Sequence, residues 1–165
     1  MKFLWFLPPG ATTNGSPGVP SVRVSPVSHQ WTPPRLARVP DRVAQTVDQF
    51  GFHAVLTPTG GHCEDARLVT AALISATERL TFRVAFRPGA VLPVLSAQMV
   101  STFGQLSGGR VLLNVVVGDN DEQCGYCDNL PKYERYARAR EYLRIARAVG
   151  DGKPVTVNSD YYAVD

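Results

Sequence analysis

Hydrophobic residues fall along this chain in short unbroken runs, separated by stretches with helical spacing. The first run, Phe3-Leu4-Trp5-Phe6-Leu7, predicts a strand covered on both faces. Residues 8–34 are rich in Pro, Gly, Ser and Thr and lack periodicity, which predicts a long loop reaching to residue 40. A helix is expected over 41–50, with Asp41 as N-cap, Val43, Ala44, Val47 and Phe50 facing inward, and Gly51 as its stop. A second buried strand, 52–57, closes at Pro58. A helix over 64–77 follows, with Leu68, Ala71, Ala72 and Ile74 inside. Residues 80–86 predict a third strand, ended by Pro88-Gly89, and 93–106 a helix stopped by Ser107-Gly108-Gly109. The most apolar strand is 111–117. A polar loop, a strong helix over 132–149 and a hairpin-like tail over 153–165 complete the chain.

The order β-α-β-α-β-α-β-α, with strands apolar on both faces, predicts an α/β fold with a parallel sheet. A doubly wound open sheet and the first half of an eight-stranded barrel both fit this count. No Gly-x-Gly-x-x-Gly and no Walker loop follows any strand, so the usual nucleotide fingerprints are missing.

Composition narrows the classes. The chain has 165 residues, 44% of them hydrophobic, enough for a packed core. Its net charge of +3 comes without a basic run, and the arginines between Arg135 and Arg147 sit on a helix with acidic neighbours, which reads as a solvated face. That argues against nucleic acid and suits an anionic small molecule. No apolar run reaches the roughly 20 residues of a membrane span, and the N-terminal run is too short for a signal peptide. A cytoplasmic protein is therefore expected. Three cysteines, Cys63, Cys124 and Cys127, make a disulfide framework unexpected.

Several blocks resemble one family. Phe3-Leu4-Trp5-Phe6-Leu7-Pro8 resembles the opening of alkanesulfonate monooxygenases, a branch of the bacterial luciferase-like flavin enzymes. Leu56-Thr57-Pro58-Thr59-Gly60-Gly61-His62-Cys63-Glu64-Asp65-Ala66 resembles their Pro-Thr-Gly-x-x-Cys-Glu-Asp-Ala-Trp block. Arg79-Leu80-Thr81-Phe82, the Arg87-Pro88-Gly89 that ends that strand, Leu106-Ser107-Gly108-Gly109-Arg110, Leu113-Asn114-Val115-Val116 and Arg135-Tyr136 follow in the family's order.

The resemblance implies a TIM (β/α)₈ barrel, of which residues 1–165 make the N-terminal half, about four βα units. It also implies an FMNH₂-dependent monooxygenase that uses O₂ to cleave an organosulfonate to sulfite and an aldehyde. Reduced FMN would come from a separate NAD(P)H-dependent FMN reductase. The family's His, Arg and Tyr from the second half are absent here, so the isolated chain is expected to turn over little. With open sheet edges it is expected to form homo-oligomers.

In a parallel barrel the chemistry gathers at the carboxyl ends of the strands. Cys63 and Arg87 stand there as the candidates for chemistry. The Cys63 thiol would lie near flavin, or is simply a small buried hydrophobe. Arg87 would hold a sulfonate, or pair with Glu64 or Asp65. By resemblance Asn114 is assigned to the flavin ring, with a bond to barrel backbone as the alternative. Lys132 and Tyr136, four apart at a helix start, share a face and are assigned to the FMN phosphate. Glu64-Asp65 are expected to cap the helix behind them. His29 and His53 read as structural, and His62 merely neighbours the cysteine.

Cys124-Gly125-Tyr126-Cys127 is a C-x-x-C in a loop, which reads alone as a redox pair or half a zinc site. No metal is expected, because the spacing by itself is weak. Four positions depart from the family pattern. Arg67 replaces Trp, Val117 replaces the Thr before Gly118, Pro9 replaces Thr, and Arg83 puts a charge in a strand, which is costly unless paired.

Overall fold

The computed structural model describes residues 4–6, 35–60, 63–118 and 120–165. The expected 8–34 loop, His29, His62 and Pro9 lie outside them. The chain forms two compact units, residues 1–86 with 110–114, and residues 87–109 with 115–165.

The first unit holds the sheet. Its strands are β1 (Leu4–Phe6), β2 (Ala54–Thr57), β3 (Thr81–Phe86) and β4 (Val111–Val115), in that spatial order. β1 pairs parallel with β2, Trp5 opposite Val55, and β2 pairs parallel with β3, Val55 opposite Phe82. Sequential order with parallel pairing requires a crossover between each pair of strands. Helices supply it: α1 (Arg35–Gln49) and α2 (Ala66–Leu73), which a 3₁₀ turn, Ile74–Ala76, continues. The α/β fold with a parallel sheet is thus as the hydrophobic pattern implies.

Three details differ from the pattern. α1 starts at Arg35, six residues before the expected Asp41, so the helix runs through Pro40. On α2 the inward face is Ala66, Thr70 and Leu73, whereas Leu68 is 72% exposed. Thr70 is buried because its hydroxyl has partners: it bonds Thr57 Oγ1 at 2.8 Å and donates to the Ala66 carbonyl. Phe50 is 77% exposed: its N–H still bonds the Thr46 carbonyl at 2.9 Å, but helical spacing sets it away from the face that buries Ala44, Val47 and Asp48.

Two side chains tie the layers together. The buried Asp48 carboxylate accepts from the Glu78 N–H at 2.7 Å and the Arg79 N–H at 3.3 Å, fixing the turn that starts β3. Arg110 lies over the Phe82 ring, 5.5 Å from its centre. It donates to Thr77 Oγ1 at 2.9 Å, the Leu80 carbonyl at 3.1 Å and the Ile74 carbonyl at 3.1 Å. Arg83, flagged above as costly, sits on the half-exposed face of β3 and is not buried in the core.

Asp65 caps α2 as expected, accepting from the Arg67 N–H at 2.9 Å and the Leu68 N–H at 3.1 Å. Arg67, the residue that replaces Trp, pairs with the same carboxylate at 2.7 Å. Partial burial pushes the Asp65 pKa up, but Arg67 and the two N–H groups outweigh it and hold it below 3.8. Its contribution is therefore complete above the unfolded value and is lost as pH falls through the lower folded value. Asp65→Ala should cost about 1 kcal/mol at pH 7. In urea titrations the gap between wild type and variant should narrow below pH 4, and a gap independent of pH would contradict the assignment.

The second unit is built from α3 (Pro93–Ser107), α4 (Asn120–Gly125), α5 (Lys132–Gly150) and a hairpin of β5 (Val157–Asn158) against β6 (Ala163–Val164). α3 packs on α5, and the core contains Ala97, Phe103, Ala139, Tyr142, Ile145 and Tyr162. α4 falls where a plain loop was expected. On α3, Leu95, Met99 and Leu106 are exposed, at spacings that place them along one side of the helix, and Leu92, the extended residue before it, is exposed as well.

Candidate active site

In the first unit, Cys63 follows β2 at the head of the turn into α2. It is half-buried, and its N–H donates to the Gly60 carbonyl at 3.0 Å. Asn114 is half-buried on β4, between the exposed Leu113 and Val115.

In the second unit, Arg87 opens the segment after β3. It is buried, and its guanidinium lies over the Tyr126 ring, 5.1 Å from the centre. Gly118, with φ 76°, passes so close that a Cβ there would overlap the Arg87 and Gln123 side chains. The buried Gln123 donates from Nε2 to the Val117 carbonyl at 2.6 Å. Arg87, Gly118, Gln123 and Tyr126 thus form one packed group.

Two arginines of α5 brace the surrounding chain. Arg135 is buried and donates to the Leu130 carbonyl at 2.6 Å and the Gly118 carbonyl at 3.3 Å. Arg138 forms an ion pair with Asp128 and donates to the Pro88 carbonyl at 3.2 Å. Gly89, φ 104°, leaves room for the Arg138 guanidinium, which a Cβ would meet. The Arg87-Pro88-Gly89 block therefore has a local physical reason: an arginine on an aromatic ring, a carbonyl held by a second arginine, and a glycine that clears its path. Reading Arg135 and Arg138 as part of a solvated face was wrong, because both are held inward by acceptors distant in sequence. Gln123, Tyr126 and Asp128 were also missed.

Lys132 is the first residue of α5, and Tyr136 stands one turn later; both are exposed, Tyr136 to 57%. No side chain caps this helix start, where Pro131 is the N-cap. A cation, a phenol and a helix N-terminus with no capping side chain are a donor set that suits a phosphate. The candidates thus divide into Cys63 and Asn114 in one unit and Arg87, Lys132 and Tyr136 in the other. A cleft of 440 Å³ on α5, lined by Arg140, Leu143, Arg144 and Arg147 among others, contains none of them.

Among the described residues, no three or more His, Cys, Asp or Glu side chains group as a metal site would need, and no helix is long and apolar enough to cross a membrane.

The model of the luciferase-like monooxygenase family matches residues 1–165, and the chain belongs to that family. Its fold is similar to EDTA monooxygenase from Chelativorans, with a TM-score of 0.72 at 18% identity over 99% of this chain and 46% of that one. It is also similar to the oxygenating constituent of 3,6-diketocamphane monooxygenase from Pseudomonas putida, solved with FMN, with a TM-score of 0.66 at 19% identity over 75% of this chain and 36% of that one. A third similar fold is the coenzyme F420-dependent tetrahydromethanopterin reductase of Methanopyrus kandleri, with a TM-score of 0.69 at 15% identity over 99% and 44%. The chain spans less than half the length of each of these proteins.

Proposed function

We propose that this chain is the N-terminal half-barrel of an FMNH₂-dependent monooxygenase acting on organosulfonates. The observation that carries the reading is the Thr57-to-Ala66 block, which combines the family-like Cys-Glu-Asp sequence with a β2–α2 turn capped by Asp65. The family match over the whole chain supports flavin oxygenation. The organosulfonate assignment rests on the sequence blocks.

Bound flavin would supply the electrons for activating O₂. The chain's own part is binding, orientation and charge. Lys132 and Tyr136 would hold the phosphate through a cation and a phenol hydroxyl on one helix face. The Asn114 amide can both accept from and donate to a ring edge. Arg87, kept in place by Tyr126, would present a fixed cation for the sulfonate. Cys63 would place a weak S–H donor beside the reacting region.

FMN should bind this chain weakly, and Lys132→Ala and Tyr136→Phe should each weaken it by about fivefold, the scale of one exposed phosphate contact. Fluorescence titration with oxidised FMN, and anaerobic absorbance with the reduced form, would measure this. Binding indifferent to both substitutions removes the phosphate assignment. Sulfite released from an alkanesulfonate at many turnovers by this chain, supplied with FMNH₂ and O₂, would contradict the half-site reading.

A further inference from the structure

The function above makes no use of Cys124 and Cys127, although both thiols are free and exposed. α4 ends in a Schellman turn. The Asp128 N–H donates to the Gln123 carbonyl at 3.0 Å, and the Cys127 N–H donates to the Cys124 carbonyl at 3.0 Å. Cys127 is the residue after the cap, with φ 58°, and among the described residues no other non-glycine has a positive φ. Glycine usually fills that place, because left-handed backbone crowds a Cβ. A cysteine there holds strain that glycine would relieve, which points to a use for the thiol.

The same hydrogen bond sets the spacing. The two Cα atoms close a hydrogen-bonded four-residue turn, a span under roughly 7 Å. A disulfide needs about 4.4–6.8 Å. The turn is held on both sides, by Gln123 on the Val117 carbonyl and by Asp128 on Arg138. Between the cysteines, the Tyr126 ring is pinned beneath Arg87.

We propose that Cys124 and Cys127 form a reversible dithiol–disulfide site, closed by hydrogen peroxide. One thiolate attacks a peroxide oxygen; the O–O bond breaks, hydroxide leaves, and a sulfenic acid forms. The second thiolate attacks that sulfur, the S–S bond forms, and a second hydroxide leaves. The two thiol protons convert both hydroxides to water, so two sulfurs lose two electrons and one peroxide gains them. A dithiol reductant reverses the cross-link by exchange. Closure would brace Tyr126 against Arg87.

The reduced chain would be treated with one equivalent of hydrogen peroxide, alkylated and mapped by mass spectrometry. The expected product is lighter by about 2 Da before alkylation, carries alkyl only on Cys63, and yields two further alkylatable thiols, Cys124 and Cys127, after dithiothreitol. In a glutathione buffer, the 124–127 disulfide should be favoured about tenfold more in the folded chain than in urea, because the turn raises the effective thiol concentration. Cys127→Gly should lose the cross-link and unfold at higher urea than reduced wild type, since the strain goes with the Cβ. Any of three results overturns the proposal: separate over-oxidation of the two thiols, disulfides only between chains or to Cys63, or a Cys127→Gly chain less stable than reduced wild type.

Discussion

Phe82→Ala should lower the unfolding free energy by about 3–5 kcal/mol, the usual cost of removing a buried phenyl ring. Phe82 is fully buried on β3, paired with Val55 on one side, and its N–H donates to the Arg110 carbonyl at 2.9 Å. Its loss also strips the surface on which the Arg110 guanidinium lies, and that guanidinium holds three groups of the α2–β3 connection. Domains of this size have only about 5–15 kcal/mol in hand, so the midpoint of urea unfolding should fall sharply. Phe82→Leu, which retains most of the volume, should cost under about 1.5 kcal/mol. Equilibrium unfolding followed by circular dichroism separates the two. A Phe82→Ala chain within 1 kcal/mol of wild type, on the order of an ordinary surface change, would show that the first unit is not packed around this ring.

The second large effect concerns association. Leu95, Met99 and Leu106 leave an apolar stripe on α3 in water, and such stripes usually meet a partner helix. We expect wild type to self-associate at micromolar concentration. Leu95→Glu and Leu106→Glu should each weaken it at least about tenfold, because a carboxylate in an apolar contact is left unpaired. Gln98→Glu, on the same helix and away from the stripe, should change little. Sedimentation velocity over a concentration series reads all four chains. Equal behaviour of wild type and the two leucine variants would remove the stripe from the assembly surface.

The strands and the long helices were legible in the sequence, because the apolar runs of β2 and β3 and the spacing of the inward residues of α5 follow burial, whereas the equally apolar β4 leaves Leu112, Leu113 and Val115 exposed. The misses share a cause. Thr70 counts as polar in any pattern, yet is buried because its hydroxyl finds Thr57 and a carbonyl one turn back. Pro40 reads as a helix break, yet α1 runs through it. The six residues of α4 are too few and too polar to show a face. Around the candidate site, Arg135 and Arg138 looked solvated because their acceptors, the Gly118 and Pro88 carbonyls, are 17 and 50 positions away. Local spacing cannot show partners at that separation. The Arg87-Pro88-Gly89 block carried the one available hint, since a fixed glycine after a charged strand end implies that something must pass close by.

The Asp48 carboxylate reaches across some thirty residues to the amides of Glu78 and Arg79. It follows that α1 cannot peel away from its neighbours without baring two main-chain donors and a desolvated anion together. The stretch from α1 to the entry of β3 is thereby made into one cooperative block, which opens whole or stays shut.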